Sequence, residues 1–286
     1  MTLSPIVGYG QSLEGLRANI RHILDTIPGT FAVAYEPIGG GPRLLINDKE
    51  MFHAASTMKT PVMIEVFRQA REGRFSLGDS LEVRNEFKSI VDGSPYELDL
   101  KDDSDDSMYK KIGQKVPIRE LLHQMITVSS NLATNLLMGL VGAESVTNTM
   151  RSLGASDIEV LRGVEDGKAF ERGMNNRTNA FDLLIVMKAI AQGRAVDSSS
   201  SKEMVGILLD QKFRDIIPAD LPSDVRVAHK TGSITGVEHD SGIVFLPDGR
   251  AYVLVLLSKN LKNPEQGKRG LALVSKRIYD YVVHGR

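Results

Sequence analysis

Phe52-His53-Ala54-Ala55-Ser56-Thr57-Met58-Lys59-Thr60-Pro61-Val62-Met63-Ile64-Glu65-Val66-Phe67 is the stretch on which the reading of this chain turns. Met58, Val62, Met63, Val66, Phe67 and Ala70 recur at helical spacing, which predicts a helix over 56–71 with an apolar stripe that buries its first turn. Pro61 falls just beyond the positions where a missing N–H costs nothing, so the start of that helix is expected to be irregular. The pattern stays mainly helical as far as Gly193, with further candidates at 118–126, 132–140, 143–153 and 178–192. Pro117 and Gly154 serve there as a start and a stop signal.

Strand chemistry lies on both sides of this helical block. Before it, apolar residues at helical spacing from Leu13 to Ile27 precede Phe31-Ala32-Val33-Ala34-Tyr35 and Leu44-Leu45-Ile46, a hairpin turned by Gly39-Gly40-Gly41. After it, beyond Lys202, strands are expected at 225–229, 242–246 and 252–258, with a Pro247-Asp248-Gly249 turn and a closing helix over 264–283. These elements predict an α/β (α+β) fold in which an antiparallel sheet flanked by helices is built from both chain ends and packs on a mainly helical lobe. The expected lobes are 1–48 with 197–286 and 49–196, one catalytic unit with the site between them. No internal repeat of a solenoid period is present.

Composition narrows the function classes. With 286 residues, 42% of them hydrophobic, the chain can bury a substantial core. The net charge of −1 and scattered basic residues leave no electrostatic footprint for nucleic acid or an anionic membrane. The absence of cysteine removes disulfides, thiolate metal sites and cysteine nucleophiles. No stretch approaches the length of a bilayer span, and Met1-Thr2-Leu3-Ser4-Pro5 does not open a basic segment followed by an apolar run, which fits a cytosolic or a processed chain. The six histidines show no ligand-like spacing, so no metal or other cofactor is expected; His229 and His239 could line a cleft rim or be structural. The acidic run from Asp99 to Asp106 is read as a solvated loop and given no function.

Three short patterns carry candidate chemistry. A serine nucleophile needs a base within reach, and Ser and Lys three apart at a helix start share one face. The spacing occurs three times, at Ser56/Lys59, Ser107/Lys110 and Ser199/Lys202, against about one or two chance matches in ordinary composition. Only Ser56 opens a helix that buries its first turn, where a lysine loses preference for its charged form and becomes a base. Capping of the helix by Ser56 is the competing reading. Ser129-Ser130-Asn131 lies between helices and can offer a hydroxyl for proton relay and an amide for positioning, or simply cap the next helix. His229-Lys230-Thr231-Gly232-Ser233 ends a predicted strand, where Gly permits close approach and Lys230 supplies charge; the alternative is an ordinary turn. What sets the three apart is their order and their placement on an early helix, between later helices and on a C-terminal strand.

In that order the chain resembles the class A β-lactamases and the penicillin-binding proteins related to them: Ser56-Thr57-Met58-Lys59, Ser129-Ser130-Asn131 and Lys230-Thr231-Gly232 stand for their S-x-x-K, S-D-N and K-T-G. The resemblance runs from about Leu13 to the final helix. It implies Ser56 as nucleophile, Lys59 in its activation, Ser129 as proton relay to the leaving nitrogen and Asn131 in positioning. It further implies that Lys230 and Thr231 bind a substrate carboxylate and that the Ser56 and Ser233 N–H groups form an oxyanion hole. The implied partner is a small molecule, a β-lactam or a D-Ala-D-Ala-like peptide, met by a monomer that is periplasmic or secreted.

Departures from the family pattern bear on turnover. Ser130 stands where β-lactamases usually carry Asp, and Asp240-Ser241-Gly242 stands where an Arg is usual on the strand after Lys-Thr-Gly. For the deacylation base, Glu165 or Asp166 fits a loop opened by Arg162, yet Ala169 follows four residues after Glu165 where an Asn is usual. Glu171 keeps that spacing to Asn175 but crowds the next helix. Glu165 is the expected base; a solvated or Arg162-paired carboxylate is the alternative for each acid. With a base the chain is a serine β-lactamase; without one, a D,D-peptidase or penicillin-binding protein; without turnover, a sensor of β-lactam or peptidoglycan.

Overall fold

The computed structural model describes residues 12–285, so the N-terminal Met1–Pro5 segment considered above lies outside the described residues. Five antiparallel strands form the main sheet: β1 (Thr30–Pro37), β2 (Leu44–Ile46), β3 (Arg226–Ile234), β4 (Val237–Phe245) and β5 (Ala251–Lys259), in spatial order β2-β1-β5-β4-β3. Both chain ends contribute, because β1 pairs with β5 from Thr30↔Lys259 to Pro37↔Tyr252.

Alternation along the strands divides the protein into two cores. Phe31, Val33 and Tyr35 of β1, with Tyr252, Leu254 and Leu256 of β5, point one way. There they pack with Leu16, Ile20 and Leu24 of α1 (Leu13–Asp25) and Leu271, Val274 and Ile278 of α9 (Pro264–His284). Ala32, Ala34, Val253, Val255 and Leu257 point the other way, into the core of the helical lobe. Period-two alternation with both faces apolar is what a sheet sandwiched between helical layers requires. The caps are local. The Ser12 hydroxyl accepts the Gly15 N–H at the start of α1, and the Asn263 side chain accepts the Gln266 N–H beside Pro264 at the start of α9.

The helical layer contains α2 (Lys59–Arg71), α3 (Ile118–Thr127), α4 (Asn131–Val141), α5 (Ala143–Ser152), α6 (Gly167–Glu171), α7 (Ala180–Ala191) and α8 (Ser198–Leu209). The sequence reading missed α8. Its Ser198-Ser199-Ser200-Ser201 opening has weak helix propensity, yet Asp197 accepts the Ser200 N–H, and Met204, Ile207 and Leu208 join the helical-lobe core. Two segments also differ from expectation around the candidate motifs. Residues 55–58 form a 3₁₀ turn before α2 begins at Lys59, and Lys230-Thr231-Gly232 lies within β3, which continues to Ile234. Its pairing with β4 carries the backbone past the predicted turn: Lys230 faces Ser241, Thr231 faces Asp240 and Gly232 faces His239.

Candidate active site

Ser56 lies at the mouth of a cleft of about 350 Å³ between the 3₁₀ turn, the start of α4 and the β3 edge. The backbone before it is left-handed at Ala55, φ 44°, unusual for a side chain with a Cβ. Local bonds hold this kink. The Ala55 N–H donates to His53 Nδ1 at 3.0 Å, the Ala54 N–H donates to the Asn176 carbonyl, and Phe52–His53 pairs as a short strand with Arg177–Thr178. Gly232 makes the close approach possible: a Cβ there would sit 3.1 Å from both the Ser56 and Thr57 nitrogens.

Behind Ser56 two lysines converge on one hydroxyl. Lys59, fully buried, donates to the Ser129 carbonyl at 2.6 Å, to Ser129 Oγ at 3.0 Å and to Asn131 Oδ1 at 2.9 Å. Lys230, also fully buried, reaches Ser129 Oγ at 3.1 Å and the Thr231 carbonyl at 2.9 Å. Since both lysines donate to it, the Ser129 hydroxyl retains its own proton for a group in the cleft. Burial pulls Lys59 down to about 7, against the charges of Asp103 and Glu165, which favour its ammonium. Burial first, then the neighbouring Lys59 charge, holds Lys230 well below the usual lysine range, with Asp240 opposing.

The acidic run is not merely solvated. Both Asp103 carboxylate oxygens accept the Asn131 N–H, at 3.0 and 2.9 Å, and one accepts the Leu132 N–H at 3.0 Å. Together with the Ser130 hydroxyl, which accepts the Ala133 N–H, this carboxylate caps α4 and fixes the turn in which Ser129 is held at φ 61°. No local signal picked out Asp103 from its four acidic neighbours; its partner is 28 residues away.

The loop over 162–176 brings Glu165, and not the other acids, to the site. Asn131 Nδ2 donates to Glu165 Oε1 at 2.6 Å while its Oδ1 accepts from Lys59, so one amide bridges the lysine and the carboxylate. Burial raises Glu165 above the ordinary carboxylate range, assisted by Asp103, while the Asn131 bond pulls the other way. Asp166 is turned inward as the cap of α6 and accepts from Ser89 Oγ and the Ile90 N–H, whereas Glu171 is exposed. Ala169 is buried, so the usual Asn partner is absent and Asn131 occupies the carboxylate instead.

Two asparagines that sequence inspection passed over set the loop. Asn135 exchanges both amide bonds with Val164, and Asn176 accepts the Leu161 and Arg162 N–H groups while donating to the Arg162 carbonyl. Arg162 itself binds Met174, Gly163 and Asn175 rather than an acid.

Thr231 and Ser233 line the cleft on the β3 side. Neither histidine lines its rim. His229 is buried against Asp240 at 2.9 Å, and His239 is held near a pKa of about 4 by burial. His239 Nδ1 accepts the Ser258 N–H, so its Nε2–H donates to the His53 carbonyl at 2.9 Å and ties β4 to the turn that carries Ser56.

A family model described as "Beta-lactamase enzyme family" matches residues 15–282, nearly the whole chain. The chain belongs to that family. It is similar to Beta-lactamase VEB-1 of Pseudomonas aeruginosa, 22% identical over 98% of this chain and 94% of that protein. Among solved structures it resembles a β-lactamase of Sphaerobacter thermophilus DSM 20745, 26% identical with a TM-score of 0.79, over 94% of this chain and 97% of that one. It also resembles PBP-A, 26% identical with a TM-score of 0.80 over 99% of both chains; a PBP-A mutant has been solved as an acyl-enzyme complex with penicillin G. Among the described residues, no helix is long and apolar enough to cross a membrane.

Proposed function

We propose that this member of the family is a serine β-lactamase that opens the β-lactam amide through an acyl-enzyme on Ser56. The observation that carries the reading is the convergence of Lys59 and Lys230 on Ser129 Oγ, beside a nucleophile turn that Gly232 allows β3 to approach. Neutral Lys59, well populated near pH 7, takes the Ser56 proton as Oγ attacks the lactam carbonyl. The oxyanion lies between the Ser56 and Ser233 N–H groups. As the C–N bond breaks, Ser129 gives its proton to the leaving nitrogen and recovers one from Lys59. Asn131 positions Lys59 and Glu165, while Lys230 and Thr231 meet the substrate carboxylate. Glu165 then takes a proton from water, the hydroxide attacks the ester, and the Ser56 oxygen leaves with a proton returned to it.

The substitution of Ala169 for the usual Asn favours a second reading, slow deacylation as in a D,D-peptidase or penicillin-binding protein. A sensor without turnover would have no use for the Lys59–Ser129 relay. The working unit is proposed to be a periplasmic or secreted monomer, with residues 1–48 and 197–286 forming one lobe and 49–196 the other. Incubation with a chromogenic cephalosporin and benzylpenicillin, followed by colour and intact mass, tests this. Rapid turnover, with an adduct on Ser56 that persists only in Glu165→Gln, supports the β-lactamase. A lasting adduct in the unaltered protein supports slow deacylation, and neither turnover nor an adduct with either compound refutes both.

A further inference from the structure

The β3 end of the cleft carries an acid that the reaction does not use. Glu238 on β4 stands directly opposite Ser233 on β3, is 7% exposed and lines the cleft, and the Ser233 hydroxyl donates to its Oε1 at 3.0 Å. Ser233 and Thr231 share this face of the sheet, because residues two apart on a strand point the same way. A carboxylate therefore lies beside the hydroxyls offered to an anionic substrate group, where an arginine would have been complementary.

The surrounding charges do not neutralise it. Lys268 of α9 lines the same part of the cleft, but its ammonium is bonded to Glu265 at 2.6 Å and lies 3.8 Å from Asp215. Facing Glu238 are thus one cation and two further acids: Lys268 and Glu265 from α9, and Asp215 from the loop before Ile216. Lys230, the cation proposed to meet a substrate carboxylate, is shared with Ser129 and the Thr231 carbonyl and makes no contact with Glu238.

We propose that Glu238 is a specificity-determining residue: when ionised it occupies the Ser233 hydroxyl and opposes the binding of a carboxylate on the leaving-group side of the substrate by Lys230 and Thr231, so the cleft accepts acyl donors uncharged on that side more readily than it would with a neutral residue at this position. The inference rests on the acyl-transfer reading above and names the substrate class that site selects. Like charges within a few ångströms cost most where water is excluded, and Glu238 is buried. When protonated, Glu238 no longer repels the anion, and Ser233 can turn its hydroxyl to the substrate. Burial raises Glu238 above the ordinary carboxylate range, so this release begins at a pH higher than an exposed glutamate would allow.

The test compares benzylpenicillin with its methyl ester, which differ in that one charge. The measured quantity is the ratio of kcat/KM for acid over ester, across pH 4 to 8, in the unaltered protein and in Glu238→Gln. The ratio should rise as pH falls in the unaltered protein. In Glu238→Gln it should be about tenfold higher at neutral pH, equivalent to about 1.4 kcal/mol, and vary less with pH. Glu238→Ala, should the amide fail to fold, is expected to shift the ratio in the same direction. If both compounds are turned over or acylate Ser56 and the ratio is the same in variant and unaltered protein, the role of Glu238 is refuted while the acyl-transfer reading stands. If neither compound is hydrolysed or adds mass to Ser56, the acyl-transfer reading fails and takes this inference with it.

Discussion

Replacing Asp103 separates what its charge does from what its hydrogen bonds do. The carboxylate makes three contacts to two backbone N–H groups at the start of α4, and its charge is the first of the two that sustain the Lys59 ammonium. Asp103→Ala removes a cap worth about 1 kcal/mol and charge-assisted bonds worth about 1.5–3 kcal/mol before overlap between the two figures is removed. A net loss of about 2 kcal/mol is expected, lowering Tm by about 3–6 °C in a chain of this size. With the turn that holds Ser129 and Asn131 released, acylation should slow by about tenfold to a hundredfold, the scale of an ångström misplacement. Asp103→Asn keeps an oxygen that can cap but removes the charge. Its stability loss should be under about 1 kcal/mol, while its pH profile should move. In the proposed mechanism Lys59 acts as the neutral amine, whose population rises as pH rises through about 7. Loss of the negative neighbour lowers that midpoint, so the rising limb of acylation kcat/KM should shift to lower pH in Asp103→Asn. Stopped-flow acylation against pH and thermal melts of both variants measure these quantities. A rising limb that stays in place or moves upward in Asp103→Asn would refute the electrostatic role, and an Asp103→Ala protein as stable and active as the parent would refute the capping role.

Three other perturbations address separate parts of the site. Gly232→Ala would place a Cβ 3.1 Å from the Ser56 and Thr57 nitrogens, backbone atoms that can only move together with Ser56. Acylation should fall by about tenfold or more with Tm nearly unchanged, and parent-like rates in stopped-flow traces would contradict the geometry. Gly163→Ala puts a Cβ 2.2 Å from Asn135 Oδ1, the acceptor of the Val164 N–H. Displacing Asn135 frees the segment that presents Glu165, so deacylation should slow more than acylation, read as accumulated adduct by mass spectrometry; equal slowing of both steps would count against it. Lys59 titrates near 7 when folded and near 10.5 when unfolded, so between those values the unfolded chain binds more protons and stability rises with pH. Lys59→Met should remove up to about 1.4 kcal/mol per pH unit of that rise between pH 7 and 9 in urea titrations. An identical slope in variant and parent would show that Lys59 is not a buried, depressed lysine.

How much of this was legible in the sequence depended on whether the causes were local. Alternation in Phe31-Ala32-Val33-Ala34-Tyr35 marks a strand whatever surrounds it, and the stripe from Met58 to Ala70 marks a helix, so the sheet from both ends and the helical layer were foreseeable. The three motifs were legible because each is short and contiguous. α8 was hidden because its first turn is serine and its apolar residues serve a core built by distant helices. β3 was cut short because Lys-Thr-Gly has turn chemistry, which pairing with β4 overrides. That Glu165, rather than Asp166 or Glu171, reaches Asn131 depends on loop geometry that Asn135 and Asn176 impose, which no local pattern shows. Asp103 and Glu238 act on partners across the fold or across a strand pair, and no spacing rule marks such residues.

Backbone strain supplies an independent reason to place function here. Among the described residues five non-glycine positions have left-handed backbone: Asn47, Ala55, Ser129, Glu165 and Asn260. Asparagine tolerates that conformation, so Asn47 and Asn260 call for no special cause. The other three do, at a cost of about 1–3 kcal/mol each. One immediately precedes Ser56, the proposed nucleophile, and the other two are Ser129, the proposed proton relay, and Glu165, the proposed base. Each is held by bonds from outside its own segment or from a neighbouring side chain: Ala55 by His53 and the Asn176–Ala54 link, Ser129 by the Asp103 cap, and Glu165 by Asn131 and the Asn135–Val164 pair. Asn176, Asn135 and Asp103 are therefore expected to give up stability and rate together when altered, whereas Asn47 and Asn260, left-handed but not lining the cleft, should give up stability alone. This difference separates strain that serves the site from strain that serves only the fold.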